Sequence, residues 1–396
     1  MRYFWSGVMI WGVILLLITI NIANPQNANK DIAVYADKVV WGKKKTVLTF
    51  DPVDAKVPAS LDGFQTVFHF PPIRQDTTGT CWCFAGISFL ESELARLATG
   101  EIKLSELYVV YWEYVEKARR YIHEKGDSEF GQGSQPQAVI ERAKQYGLVR
   151  AEDYTGLLPG KTNHNHRELF REIRTFLKYL QEKQNWDEES AIGYIKSILN
   201  RHLGKPPETI IVDGEEMTPK EYAHQVLKLP LNDYISLMSF KKIPFYTRGE
   251  YQVPDNWWHD STYYNVPLRG FYEALKLAIK NGYTVAIAGD VSEPGKLKER
   301  DIAIIPSFDI AQSNIDQNSR EFRFYNKAST DDHCIHIVGY QKYEGRDWFL
   351  IKDSGSSAHD GNFKGYYFFR DDYIRLKMLT YLIHKDAVKD ILTRFK

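Results

Sequence analysis

QDTTGTCWCFA, residues 75–85, places two cysteines one residue apart in a chain of 396 residues that holds only three. From Cys81 onward, apolar residues such as Ile87 and Leu90 recur at the three- and four-residue spacing of an amphipathic helix. Gly100 is a suitable end for that helix. The stretch therefore predicts a helix that begins at Cys81.

A cysteine at the first residue of a helix is well placed to act as a nucleophile, because the unpaired N–H groups and the helix dipole favour the thiolate. Cys81 holds that position, and Gly79 before it lets the backbone approach a substrate closely. Cys83 lies about 200° further round the helix, so it faces away from anything that Cys81 faces. We therefore expect Cys81 to be the nucleophile and Cys83 to pack in the core.

The cysteines, Cys81, Cys83 and Cys334, are too few and odd in number for a disulfide framework. A Cys-x-Cys pair without a second pair of ligands also lacks the ligand count of a zinc site. Lys plus Arg and Asp plus Glu both number 51, so the formal charge is zero and provides no long-range attraction for nucleic acid. We expect no metal or other cofactor and no nucleic-acid partner.

The N-terminus differs from the rest of the chain. Residues 8–22, VMIWGVILLLITINI, are almost entirely apolar and follow a single positive charge. This pattern predicts that residues 1–28 are either a signal peptide, cleaved after Ala23 or Ala28, or a membrane anchor through residues 5–23. In both cases we expect export to the periplasm or the cell exterior.

The remaining chain divides into three parts by its sequence patterns. Residues 31–154 join an extended segment, with KTVLTF and TVFHF as candidate strands, to helical patterns that include the one at Cys81. Residues 155–250 carry amphipathic helical patterns and predict a helical insertion. Residues 251–396 hold most of the strand patterns, which predict an antiparallel sheet or barrel followed by a C-terminal tail. Helices first and strands last indicate an α+β fold.

A thiolate nucleophile needs a histidine as acid and base, and the histidine needs an acceptor that orients it. STDDHCIHIVGY offers His333 at the head of a strand, where its side chain reaches a cleft. His336, three residues on, falls on the opposite face of the strand. WFLIKDSG supplies Asp353 at the end of the next strand. The sequence thus predicts that Cys81, His333 and Asp353 act together.

Three ordered motifs resemble those of papain-like cysteine peptidases. Gln75 precedes Cys-Trp-Cys-Phe at Cys81, Asp-His-Cys at 332–334 opens a strand that ends Val-Gly-Tyr, and Lys-Asp-Ser follows at 352–354. The segment YYNVPLRGFYEALKLAIKNGYTVAIAGDVSE is similar to the corresponding segment of bleomycin hydrolase and the aminopeptidase C group. The resemblance covers about residues 60–390.

The resemblance implies a papain-like two-lobe fold, with a helical lobe, an antiparallel β-barrel lobe and a helical insertion. It implies a cysteine peptidase in which Cys81 attacks the peptide carbonyl, His333 transfers the proton and Asp353 orients His333. It also implies that the Gln75 side chain and the Cys81 backbone N–H stabilise the oxyanion. The candidate substrate-binding residues are Gly79, Trp82, Asp332 and Cys334, the last of which borders a side-chain pocket in this family.

Aminopeptidase action on short peptides and a homo-hexamer are implied by the branch alone, in which a C-terminal arm enters the cleft. Two residues depart from the family pattern. Asp353 stands where the family usually has Asn, and a carboxylate still accepts from His333, so we expect activity to survive. Gly355 stands where the family usually has a Trp that shields this hydrogen bond, which predicts a wetter and weaker pair. The alternative is therefore a catalytically weak or inactive binding protein on a peptidase scaffold.

Overall fold

The computed structural model describes residues 31–40, 43–52, 55–291 and 294–395. The predicted signal peptide or anchor, residues 1–28, lies outside these ranges. Within them, no helix is both long and apolar enough to cross a bilayer.

The helices begin where the sequence supplies capping residues. Ser105 Oγ accepts from the Tyr108 N–H, and Asp187 Oδ1 accepts from the Ser190 N–H. The helix predicted to begin at Cys81 does begin there. The described helices are α1 (Cys81–Arg96), α2 (Glu106–His123), α3 (Gln137–Tyr146), α4 (Arg167–Lys183), α5 (Glu188–Leu203), α6 (Pro219–Glu221), α7 (Leu268–Lys280), α8 (Gln317–Tyr325), α9 (Asp371–Lys377) and α10 (Lys389–Leu392).

The strands lie mainly in the second half of the chain, as predicted. The described strands are β1 (Ile32–Val40), β2 (Lys43–Asp51), β3 (Gln65–Thr66), β4 (Ile210–Val212), β5 (Glu215–Met217), β6 (Tyr234–Met238), β7 (Thr247–Gly249), β8 (Tyr263–Asn265), β9 (Val285–Gly289), β10 (Lys296–Leu297), β11 (Ile302–Ala303), β12 (His333–Tyr343), β13 (Arg346–Lys352), β14 (Tyr366–Arg370) and β15 (Met378–His384).

One 11-stranded sheet dominates the second lobe, in the order β10-β11-β14-β13-β12-β9-β15-β6-β8-β7, with β3 paired to β12. Among the described strands the sheet stays open, since β10 and β7 end it, so the predicted closed barrel is not confirmed. Nor is the sheet wholly antiparallel, because β11–β14 and β6–β8 are parallel pairs. Long connections separate the members of each parallel pair, and such connections are what parallel pairing requires.

A single hydrophobic core joins the first three helices to the insertion. Side chains of α1, α2 and α3 pack in the same buried cluster as Leu169 and Ile173 of α4 and Ile195 of α5. The insertion therefore adds to the helical lobe and shares its core. Strands β6 and β7 fall within residues 155–250 but belong to the sheet, so the sheet begins before the composition boundary at 250.

Helix α1 lies against strand β12, and this contact sets the geometry of the site. Ser88 Oγ and His336 Nδ1 lie 2.8 Å apart and join the two elements. Ser88 is seven residues into α1, a rise of about 10.5 Å. His336 is three residues into β12, a rise of about 10 Å. The first residues of the two elements, Cys81 and His333, therefore lie level with each other, close enough for Cys81 to raise the pKa of His333.

Candidate active site

Cys81 is the first residue of α1, and its side chain is half-buried. The Thr80 carbonyl oxygen accepts from the Cys83 N–H at 2.9 Å, which starts the helix at this point. Cys83 is fully buried, and its thiol donates to the Glu106 carbonyl oxygen at 3.2 Å. Burial thus separates the two thiols, because Cys81 is accessible and Cys83 is not.

The loop before Cys81 is held by the start of the insertion. The Thr77 N–H donates to the His164 carbonyl oxygen at 3.0 Å, and Asp76 Oδ2 accepts from the His164 N–H at 3.0 Å. Asp76 adopts a left-handed backbone, with φ +55°, which is uncommon outside glycine. The insertion therefore fixes the loop that carries Gln75 and leads into the nucleophile.

His333 lies at the head of β12, between Cys81 and Asp353. Its Nε2 donates to Asp353 Oδ1 at 2.7 Å, which leaves Nδ1 for the Cys81 thiol. Burial lowers the pKa of His333, but the charges of Asp353 and then Cys81 outweigh it and raise that pKa to about 10. The imidazole is therefore held as imidazolium at neutral pH.

Asp353 directly follows β13 and is completely buried. The Gly355 N–H donates to Asp353 Oδ1 at 2.8 Å, beside the bond from His333. A Cβ built on Gly355 would lie 3.1 Å from Asp353 Oδ1 and 3.5 Å from His333 Nε2. Backbone therefore covers the bond from one side, and the side chains of His333 and Asp353 are only 12% and 1% exposed. The structure does not show the wet pair that the missing Trp predicted.

Lys296 belongs to the site and was missed by the sequence analysis. It lies on β10 at the edge of the sheet, with Nζ 2.8 Å from Asp353 Oδ2 and 4.5 Å from the centre of the Tyr367 ring. Burial alone would raise the pKa of Asp353, but Lys296 and then His333 hold it well below its usual value. The sequence GKLKER gives no sign that separates Lys296 from Lys298, since only the strand order brings Lys296 to Asp353.

Gln75 is buried, and its amide is oriented by two partners. Its Oε1 accepts from Ser354 Oγ at 2.8 Å, and its Nε2 donates to the Thr78 carbonyl oxygen at 2.7 Å. Because an amide nitrogen has two N–H groups, one N–H of Gln75 is left for an oxyanion. Ser354, which follows Asp353, therefore connects the oxyanion donor to the residue that orients His333.

Gly79 and Trp82 both form hydrogen bonds to Gln132, so these N–H groups are not available to a substrate. The Gly79 N–H donates to Gln132 Oε1 at 2.8 Å, and Trp82 Nε1 donates to the Gln132 carbonyl oxygen at 3.1 Å. The Trp82 side chain is fully buried, so it cannot provide the substrate contact predicted for it. A Cβ on Gly79 would lie 2.9 Å from Gln132 Cβ, so the close approach that the glycine allows is to Gln132.

Asp332 and Cys334 flank His333 and differ in exposure. Asp332 is exposed, and its Oδ1 accepts from the Val291 N–H at 3.0 Å, just beyond β9. Cys334 is buried, and burial raises the pKa of its thiol well above the usual value. Cys334 lines a small cavity together with Phe84, Ala85, Ser88, His336 and Lys352. Cys334 is therefore a protonated pocket-lining residue.

The arrangement is suited to nucleophilic acyl transfer. It provides an accessible thiol at a helix start, an imidazolium that the thiol bonds to, and an amide donor nearby. In the described part of the chain, no three His, Cys, Asp or Glu side chains are grouped as metal ligands would be.

Comparison with known proteins shows that the chain is similar to aminopeptidase C of two bacterial genera. Aminopeptidase C of Listeria innocua is 25% identical over 270 residues, which are 59% of this chain and 60% of that protein. Aminopeptidase C of Lactococcus lactis subsp. lactis is 20% identical over 358 residues, or 81% of this chain and 82% of that protein. The match thus spans about 60% of the length of the Listeria relative. No protein-family model matches the chain.

The fold is also similar to that of a solved structure. The crystal structure of PepW from Lactobacillus rhamnosis matches with a TM-score of 0.62 and 18% identity, covering 83% of this chain and 84% of that one. The predicted α+β, papain-like fold is therefore confirmed, as is the predicted resemblance to the aminopeptidase C branch.

Proposed function

Because the chain is a homologue of aminopeptidase C with a papain-like fold, we propose that it is a cysteine peptidase that hydrolyses peptide bonds. One observation carries the proposal. His333 bonds to Asp353 through Nε2, and Cys81 lies close enough to raise the pKa of His333, so nucleophile, acid–base group and orienting group lie side by side. Mutual positioning of this kind is what an activated thiol requires.

Acylation begins with the Cys81 thiolate. Its Sγ forms a bond to the carbonyl carbon, and the carbonyl oxygen becomes an oxyanion that accepts from the free Gln75 N–H and the Cys81 backbone N–H. The carbon–nitrogen bond then breaks, and the leaving amine takes the proton from His333. A thioester on Cys81 and a neutral imidazole remain.

Deacylation uses the same groups in reverse. The neutral imidazole of His333 removes a proton from water as the water oxygen attacks the thioester carbon. The carbon–sulfur bond breaks, the peptide acid leaves, and the thiolate–imidazolium pair is restored. Asp353 holds the ring in place through both steps because its bond is to the nitrogen that does not react.

We propose further that short peptides are trimmed from the amino end, as the name of the Listeria and Lactococcus relatives suggests. The described tail packs outside the sheet, with Ile391 near Gly270 of α7 and the Phe395 ring 4.8 Å from that of Tyr264. This packing of Ile391 and Phe395 places neither side chain as an anchor for a substrate amine. A homo-oligomer and a C-terminal arm in the cleft therefore rest on the family resemblance alone.

Export to the periplasm or the cell exterior is proposed from residues 1–28 alone. Fusion of these residues to a reporter that is active only outside the cytoplasm tests the proposal. Fractionation of the full chain then distinguishes a cleaved signal peptide from an anchor through residues 5–23. If the reporter fusion shows no activity, residues 1–28 do not direct export and the proposal is wrong.

The activity is tested with matched peptide libraries that have free or acetylated amino ends. An aminopeptidase releases single residues from the free peptides only, whereas an endopeptidase cleaves both sets internally. Cys81→Ala and His333→Ala should abolish cleavage, and both variants should still unfold in one cooperative thermal transition. If wild-type protein cleaves neither library but still melts cooperatively, the chain is an inactive binding protein on this scaffold.

A further inference from the structure

The two oxygens of Asp353 have different partners. Oδ1 accepts from His333 Nε2 at 2.7 Å and from the Gly355 N–H at 2.8 Å, whereas Oδ2 accepts from Lys296 Nζ at 2.8 Å. We propose that Lys296 is a positioning residue of this site, which offsets part of the charge of Asp353 and so limits the hold of that carboxylate on the His333 imidazolium. The proposal rests on the proposed function.

Lys296 does not resemble a surface partner. Its side chain is 11% exposed and that of Asp353 is 1% exposed, so the ion pair is desolvated and its geometry is fixed. The ammonium also lies over the Tyr367 ring on β14, the strand next to β13. Two independent contacts therefore direct Lys296 to the carboxylate that orients His333.

The need for a cation follows from the chemistry at His333. A buried carboxylate with its full charge would stabilise the imidazolium strongly. That would hinder proton donation to the leaving amine and would keep His333 protonated when deacylation needs a base. A cation on Oδ2 weakens this hold without disturbing the bond at Oδ1. Lys296 thus brings the carboxylate of Asp353 closer in its effect on His333 to a neutral amide, such as the Asn that is usual at this position.

Other groups also face the His333–Asp353 pair, and they come from several elements. His359 is neutral at pH 7, because burial lowers its pKa. The facing groups are Cys81 of α1, Cys334 of β12, Tyr367 of β14 and His359 of the turn after β13, besides Lys296 itself.

A double-mutant cycle tests the role of Lys296. The variants are Lys296→Met, Asp353→Asn and the two combined. Lys296→Gln is a second single variant, because it keeps an N–H donor and removes the charge. Lys298→Met is the control, since Lys298 pairs with Asp360 at 3.4 Å and both side chains are more than one-third exposed. His333 is titrated by NMR of ¹⁵N-histidine protein, assigned with His333→Ala, and peptide hydrolysis is measured alongside.

The single variants should shift the His333 titration in opposite directions. Lys296→Met and Lys296→Gln should move it to higher pH by about one pH unit, because the carboxylate then acts uncompensated. Asp353→Asn should move it to lower pH, because the buried ammonium then acts alone. The combined variant should titrate between the two single variants and hydrolyse peptides at least about ten-fold faster than either of them.

Two results would overturn the proposal. One is a Lys296→Gln titration that matches wild type and Lys298→Met. The other is a combined variant that hydrolyses peptides no faster than the slower single variant, with all three variants equally destabilised. That result is expected if Lys296 serves only to hold β10 against β13. The NMR titration needs no substrate. If no variant or wild type cleaves peptides but the titrations shift as described, the proposed function fails and the role of Lys296 stands.

Discussion

His333 Nε2 lies 2.7 Å from Asp353 Oδ1, so the imidazole uses Nε2 for the carboxylate and keeps Nδ1 for Cys81. In serine peptidases of the Ser-His-Asp type, the nitrogens have the opposite assignment, with Nδ1 on the carboxylate. The same three roles are thus filled through the other edge of the ring. The carboxylate at this position carries a negative charge that Lys296 offsets in part and that raises the pKa of His333.

The first prediction concerns pH. The pKa of His333 is raised to about 10 in the folded protein, from an ordinary value of 6.5. We therefore expect kcat/KM to fall as the pH rises through about 10, because the leaving amine then receives no proton.

Since the folded-state pKa of His333 is raised, the stability linked to its protonation is complete below pH 6.5 and is lost between pH 6.5 and 10. Urea unfolding of wild type and His333→Gln across this window should show a narrowing difference. A constant difference, or an alkaline limb near pH 7, contradicts the expectation.

The second prediction concerns the oxyanion. Gln75→Ala removes the free N–H that we assign to the oxyanion, and about a 10²–10³-fold loss in kcat with little change in KM is expected. Ser354→Ala is the matched control. It removes the hydroxyl that donates to Gln75 Oε1 and orients the amide, but it leaves the Gln75 N–H that we assign to the oxyanion. Its loss should be much smaller. Equal losses for the two variants would show that Gln75 acts through packing alone.

The third prediction concerns the thiols. Burial raises the pKa of both Cys83 and Cys334 well above the usual range, so both should stay protonated and unreactive at neutral pH. Intact-mass measurement after brief exposure to iodoacetamide should show one adduct, which peptide mapping places on Cys81. Cys81→Ser should give none, and Cys334→Ala should still give one. A second adduct on the folded protein would show that the pocket thiol is reactive.

The fourth prediction concerns Gly355. A Cβ there would lie 3.1 Å from Asp353 Oδ1, so Gly355→Ala should displace the carboxylate by a few tenths of an ångström and lower kcat by about ten-fold. Gly193 of α5 is the control, because nothing lies within 4 Å of a Cβ built on it. Gly193→Ala should leave kcat unchanged and stabilise the helix by about 1 kcal/mol. Unchanged kinetics for Gly355→Ala would mean that the bond tolerates the added methyl group.

Local sequence patterns were sufficient for the elements that carry Cys81 and His333. The helix start depends on its own residues, and β12 and β13 are long, apolar and separated by a short turn. Where tertiary contacts determine the secondary structure, the local sequence patterns predicted it less well. TVFHF was predicted as a strand, but β3 ends at Thr66. The Val67 N–H still donates to the Val338 carbonyl oxygen of β12, and beyond it the Phe68 carbonyl oxygen accepts from Ser92 Oγ of α1.

Lys296 shows the limit for the site itself. It is 57 positions from Asp353, on a strand of two residues that joins the sheet only through β11. Neither charge pattern nor hydrophobic spacing marks such a residue, since its role depends on which strands become neighbours. The openness of the sheet has the same origin, because a barrel and an open sheet share the alternation of individual strands and differ in how the end strands pair.

The bond between Ser88 and His336 has a consequence for how this chain tolerates change over evolution. Ser88 and His336 are 248 positions apart, yet they hold the starts of α1 and β12 level. The alignment of nucleophile and histidine therefore depends on two packed elements and not on the length of chain between them. Insertions in the surface loops of that interval are therefore compatible with an unchanged site, provided that the shared helical core and the loop contact at Thr77 are kept.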